Sequence, residues 1–148
     1  MTNFPVPLPA HPRVLTVLEA RVPAGTPQPV QDHATGARRI DLNDILSFNS
    51  ETTFLFEVEG DSMQGEHIYS GDRLVVDRSI VPRHGQVVIA CIDGEYTCKK
   101  LHLGSQILLI PANPRYRNIV LREDQEMSIW GVVTWNLRQV TNLKPLRS

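Results

Sequence analysis

A mainly β domain behind an extended N-terminal arm is the architecture this sequence predicts, and three observations predict it. Seven of the eleven prolines crowd into residues 1–29. From Arg39 onward short apolar runs recur, each bounded by Gly, Pro, Asn or Asp. Two of those runs, Gln86 to Ile92 and Glu95 to Leu101, are joined by Asp93-Gly94, the strongest short-range signal for a two-residue hairpin turn.

The arm comes first. Proline fixes φ and gives up an amide donor, so Pro5, Pro7, Pro9, Pro12, Pro23, Pro27 and Pro29 exclude a long helix or a central strand. Val14 to Ala20 has room for a short helical turn or a strand. Residues 1–39 otherwise read as an extended, mobile arm, too short and too broken for a helix-turn-helix. Residues 40–148 read as the folded domain.

Within that domain, Ile40 to Leu46 reads as a short helix or a turn. Thr53 to Glu59 alternates, with Phe54, Phe56 and Val58 set against Leu55, Glu57 and Glu59, as a half-buried strand does. Further strands are expected at Arg73 to Asp77, Gln86 to Ile92, Glu95 to Leu101, Gln106 to Ile110, Ile119 to Leu121 and across Met127 to Val140.

The hairpin can be read to the residue. A type I′ turn at Asp93-Gly94 pairs Ile92 with Glu95, Ala90 with Thr97 and Val88 with Lys99. Period-two alternation then puts Val88, Ala90, Ile92, Thr97, Lys99 and Leu101 on one face. Val87, Ile89, Cys91, Tyr96, Cys98 and Lys100 take the other. Cys91 and Cys98 stand diagonally on that face, about 7–8 Å apart, which disfavours a disulfide and favours buried, reduced thiols.

Composition narrows the function. A chain of 148 residues with 41% hydrophobic content can bury a core without disulfides or metals. A net charge of −1 gives no global pull toward nucleic acid or an anionic membrane. No apolar run approaches the ~20 residues of a membrane helix, and Met1 to Pro12 lacks the pattern of a signal peptide. The expected location is the cytoplasm. His11, His33, His67, His84 and His102 show no metal-ligand spacing with either cysteine, so neither a metal nor another cofactor is expected.

Two features carry chemistry. Gly60-Asp61-Ser62-Met63 follows a strand directly, a geometry that exposes a hydroxyl and frees backbone N–H groups for an oxyanion. Taken alone it is an ordinary turn, with Asp61 shaping it. The second is a lysine among aliphatic neighbours on the hairpin. Partial desolvation lowers a lysine pKa, and a neutral amine can take a proton from a serine hydroxyl. The plain alternative is a lysine that snorkels to water. Both hairpin faces are apolar, so alternation does not choose between Lys99 and Lys100.

Longer blocks decide more. Phe56 to Met63, Ser70 to Asp77, His84 to Ala90 and Asp93 to Leu101 resemble, in order and spacing, the signature blocks of the LexA/UmuD family of self-cleaving peptidases. Ile110 to Pro114 and Ile129 to Val133 extend the resemblance to about residues 40–137. It implies a compact peptidase domain of short twisted strands. It also implies Ser62 as nucleophile and Lys99 as base, because the base in this family is the first lysine of the pair.

The family cuts a small-residue–Gly bond upstream of the domain. Ala24-Gly25 and Thr35-Gly36 are two such bonds, and Ala24-Gly25 fits better. Glycine tolerates the strained bend a scissile bond must adopt. Removing residues 1–24 takes away Arg13, Arg21 and Glu19, leaving a body of net charge −2. With a short arm in place of a helix-turn-helix, and Arg39 to Asn43 resembling the stretch after the cleavage site, the chain is most similar to the UmuD branch. The resemblance then implies a cut stimulated by a RecA filament on single-stranded DNA. It implies a homodimer that serves a UmuC-type Y-family DNA polymerase in SOS mutagenesis and translesion synthesis. No sequence-specific DNA binding and no membrane contact are expected.

Other readings stay beside it. A LexA-like repressor fragment needs a helix-turn-helix, a signal peptidase needs an anchor, and a pure interaction module needs neither Ser62 nor Lys99. Trp130 and Trp135 read as core or dimer interface. Arg138, Lys144 and Arg147 read as a solvated basic end.

Overall fold

The Asp93-Gly94 turn forms with positive φ at both residues, 48° and 83°, as a type I′ turn requires. In the computed structural model, which describes residues 11–18, 22–27, 29, 37–122 and 127–143, this turn joins β5 (Val87–Ile92) to β6 (Glu95–Leu103). Ile92 pairs with Glu95, Ala90 with Thr97 and Val88 with Lys99, the register the turn dictates. Cys91 faces Tyr96 and Cys98 faces Ile89, so the cysteines are diagonal and both thiols are free.

The described residues divide into two compact units, one up to Glu51 and one from Thr52 on. In the first, β1 (Val14–Leu18) pairs antiparallel with β2 (Ala37–Asp41). The short helix α1 (Leu42–Ile45) follows, its first turn capped by the Asp41 carboxylate accepting from the Asn43 amide. Asp41 also accepts from the Arg13 amide, and Leu42 donates to the Arg13 carbonyl. These bonds tie residues 40–46 to the β1–β2 ribbon, so this segment belongs with the first unit.

The second unit is one antiparallel sheet of seven strands. β3 (Thr53–Glu57), β4 (Arg73–Asp77), β7 (Ile107–Ile110), β8 (Ile119–Val120) and β9 (Met127–Leu137) join the hairpin. The order is β3-β4-β9-β5-β6-β7-β8. Each strand sits where a bounded apolar run predicts one, with ends that differ by a few residues.

Two apolar clusters cover the hairpin. Met63, Ile68, Leu74, Val76 and Ile89 form one, with Phe56, Val87, Cys98 and Trp130 packed against it. Val88, Ala90, Leu101, Leu109 and Val132 form the other. β9 reaches into both, with Trp130 and Val133 in the first and Val132 in the second, and its register shifts twice, opposite Ile89/Ala90 and opposite Val75/Val76. Trp130 meets Phe54 and Phe56 edge-on, each at 4.9 Å, as a core residue does, whereas Trp135 is exposed.

One polar group is buried beside the first cluster. Asp72 is 2% exposed and accepts from the Tyr69 amide, from Asn136 and from Arg138 in a two-point pair. Arg138 is therefore a structural partner and not part of a solvated tail; Lys144 and Arg147 lie outside the described residues. The Arg138 hydrogen bonds hold the Asp72 carboxyl well below the usual carboxylate range, against the opposing effect of burial. A carboxyl depressed on folding stabilises fully above its unfolded value near 3.8 and loses that contribution as pH falls below it. Asp72→Asn is expected to cost about 2 kcal/mol at neutral pH. Urea titrations should show that gap narrowing as pH drops below about 4.

Candidate active site

β7 pairs with β6 only over Lys100 to Leu103, which leaves residues 95–99 open along that edge. The segment after β7 continues past this open edge and holds a turn against it. The Ala112 amide donates to the Ser62 carbonyl at 2.8 Å, and the Gly65 amide donates to the Ala112 carbonyl at 2.6 Å. The Asn113 side chain donates to the Asp61 carbonyl at 2.9 Å. Tyr116 donates its hydroxyl to the Asp61 carboxylate. Gly60, at φ 92°, supplies the left-handed bend that turns the chain out of the strand and into this position.

The result brings Ser62 and Lys99 together. Lys99 Nζ lies 3.0 Å from Ser62 Oγ, 2.9 Å from Thr97 Oγ1 and 3.0 Å from the Cys98 carbonyl. Its three neighbours are all neutral, and the residue is 8% exposed. Among the described residues no carboxylate forms an ion pair with the amine, and burial lowers its pKa from the ordinary 10.5 against a smaller opposing effect of Cys98. Lys100 takes the opposite course. Its amine pairs with Glu66 at 2.8 Å, and its side chain is 41% exposed. The two lysines that alternation left equivalent thus sit in opposite electrostatic settings.

Ser62 and Lys99 open onto a cleft of about 480 Å³ whose walls include Phe56, Leu74, Ile89, Tyr96 and Tyr116. Glu57, Glu59 and Asp61 line the same cleft. Among the described residues, the amides of Ser62 and Met63 donate to no acceptor, leaving two N–H groups beside the hydroxyl. Cys98 forms part of the wall, and burial pushes its thiol up to about 11, so it remains a neutral, poorly nucleophilic group.

Ala24 and Gly25 lie in an exposed bend in the first unit, flanked by Pro23 and Pro27. A side-chain carbon at Gly25 would meet nothing within 4 Å. Thr35-Gly36 lies outside the described residues. Three contributors to the site escape the sequence reading. Thr97 shares the face of Lys99 two positions away, so alternation already carried that signal. Asn113 and Tyr116 reach Asp61 across 52 and 55 positions, and no local pattern announces such contacts.

Residues 16–134 match the family model described as Peptidase S24-like. Protein SamA of Salmonella typhimurium strain LT2 is 40% identical over 77% of this chain and 78% of its own length. Protein MucA of Escherichia coli is 37% identical over 79% of this chain and 80% of its own. The LexA repressor of Xylella fastidiosa strain M12 is 38% identical over 80% of this chain but 55% of its own.

A lysine whose pKa falls on folding destabilises the fold wherever it must stay charged. The unfolded chain then binds more protons, so stability rises with pH until the ordinary lysine value is passed. With Ser62→Ala as the common background, Lys99→Met is expected to raise the urea midpoint at pH 7. That advantage should shrink as pH climbs toward about 10.

Proposed function

The chain belongs to the family of S24-like peptidases, and from that premise we propose that it cuts itself once, between Ala24 and Gly25, with Ser62 as nucleophile and Lys99 as base. The observation that carries the proposal is the 3.0 Å approach of a buried, carboxylate-free amine to the serine hydroxyl.

The chemistry follows from that pair. Neutral Lys99 takes the hydroxyl proton as Ser62 Oγ attacks the carbonyl carbon of Ala24. The carbonyl oxygen gains the negative charge, and the Ser62 amide, with the neighbouring Met63 amide, receives it. Collapse breaks the Ala24–Gly25 bond, and the Lys99 ammonium returns its proton to the departing Gly25 amine. Ser62 then holds residues 1–24 as an ester. Water, with Lys99 again as base, releases them. Thr97 and the Cys98 carbonyl orient the amine throughout.

The biological reading is a UmuD-like accessory protein. SamA and MucA support it, at 40% and 37% identity over 77% and 79% of this chain. On this reading a RecA filament on single-stranded DNA promotes the cut in the cytoplasm. The trimmed chain, residues 25–148, then works as a homodimer with a UmuC-type Y-family polymerase in translesion synthesis and SOS mutagenesis.

The test is the intact mass after incubation at about pH 10, where a depressed lysine is largely neutral. Loss of residues 1–24 is expected in the wild type and not in Ser62→Ala or Lys99→Ala, while Lys100→Ala still cuts. An uncut wild type, with a RecA filament and ATP also supplied, contradicts the peptidase reading and leaves an interaction module.

A further inference from the structure

The Ser62 turn is held from outside its own segment, and one of its restraints is titratable. Asp61 is fixed through its carbonyl by Asn113 and through its carboxylate by Tyr116, while Ala112 fixes the Ser62 carbonyl. Tyr116 is 46% exposed and lines the same cleft as Ser62 and Lys99. It is therefore not a core residue whose loss would collapse the fold, and its hydroxyl is spent on the residue that precedes the nucleophile.

We propose that Tyr116 is a positioning residue for the cut: its hydroxyl, donated to Asp61, holds the Asp61-Ser62 turn at the distance Lys99 requires. The inference rests on the Ser62–Lys99 reading and extends it. Tyr116 hydrogen-bonds to neither of that pair and acts through Asp61. A nucleophile displaced by a fraction of an ångström loses rate steeply, so one well-placed hydrogen bond has a measurable effect.

The arrangement has a consequence for pH. Only a protonated phenol can donate to Asp61. The charged groups that face Tyr116 are Asp61 on the nucleophile turn and Arg115 on its own loop. Glu57 at the end of β3, Glu59 beyond it, and Tyr96, Cys98 and Lys99 on β6 share the cleft. The bond to Asp61 raises the phenol above its ordinary 10.0, so the restraint persists through the range in which Lys99 becomes neutral. Beyond it, a phenolate beside a carboxylate repels, and the turn is released. The cutting rate should rise with pH as Lys99 loses its proton and fall again as Tyr116 loses its own.

The experiment is self-cleavage followed by intact mass from neutral to strongly alkaline pH in the wild type, Tyr116→Phe and Asp61→Asn. Phenolate absorbance is titrated in parallel, in a Ser62→Ala background that keeps the chain whole. Tyr116→Phe should cut about fivefold more slowly on the rising limb, the worth of one such bond, and should lack the alkaline fall. Asp61→Asn keeps an oxygen that can accept from the phenol, so it should cut faster than Tyr116→Phe. It should also lower the Tyr116 phenolate midpoint, identified as the transition that Tyr116→Phe lacks. A Tyr116→Phe profile that overlays the wild type overturns this inference alone. A wild type that never cuts overturns the peptidase reading and this inference with it.

Discussion

An ammonium group holds water tightly, and β6 buries one with no carboxylate to replace that water. The rest of the site depends on this constraint. Desolvation penalises the charged form of Lys99, and three neutral acceptors around Nζ leave the penalty uncompensated. One residue along the same strand, Lys100 answers its own charge with Glu66 and stays in contact with water. A carboxylate at Lys99 would have raised its pKa and kept the amine protonated at moderate pH, unable to accept a proton. The fold forgoes that pairing at one position and makes it at the next.

The sheet order explains how the constraint is met. β6 lies inside the sheet, yet β7 leaves its first residues unpaired, and the opening is filled by the Ser62 turn rather than by another strand. The turn is held by the 111–116 segment, which leaves β7 and runs alongside the same edge. Two distant pieces of chain therefore meet on one strand, each fixed by backbone hydrogen bonds. Such bonds give a serine and a lysine a defined separation more reliably than side-chain packing does.

Much of this was legible in the sequence where local rules govern. The Asp93-Gly94 dipeptide fixed the turn type, the turn fixed the register, and the register fixed which residues share a face. The strands were visible because each apolar run ends at a turn former. The choice between Lys99 and Lys100 was not visible from alternation, because both faces of the hairpin carry apolar clusters. Family resemblance favoured Lys99; in the structure Lys99 is the buried amine, and Lys100 is the exposed one paired with Glu66. Arg138 read as solvated because its partner, Asp72, lies 66 positions away. The β1–β2 ribbon was half legible. Val14 to Leu18 has strand character, but its partner, Ala37–Asp41, lies across a proline-bearing connection far longer than a hairpin turn, so no turn dipeptide sets their register.

The most direct measurement is the titration of Lys99 itself, by NMR of carbon-labelled lysine in the Ser62→Ala chain, set beside the pH dependence of cutting in the wild type. The lysine resonance that is absent in Lys99→Met should titrate below the ordinary 10.5, with a midpoint that coincides with the rise in cleavage. A Lys99 that titrates at that ordinary value, while cleavage rises at lower pH, would contradict the account.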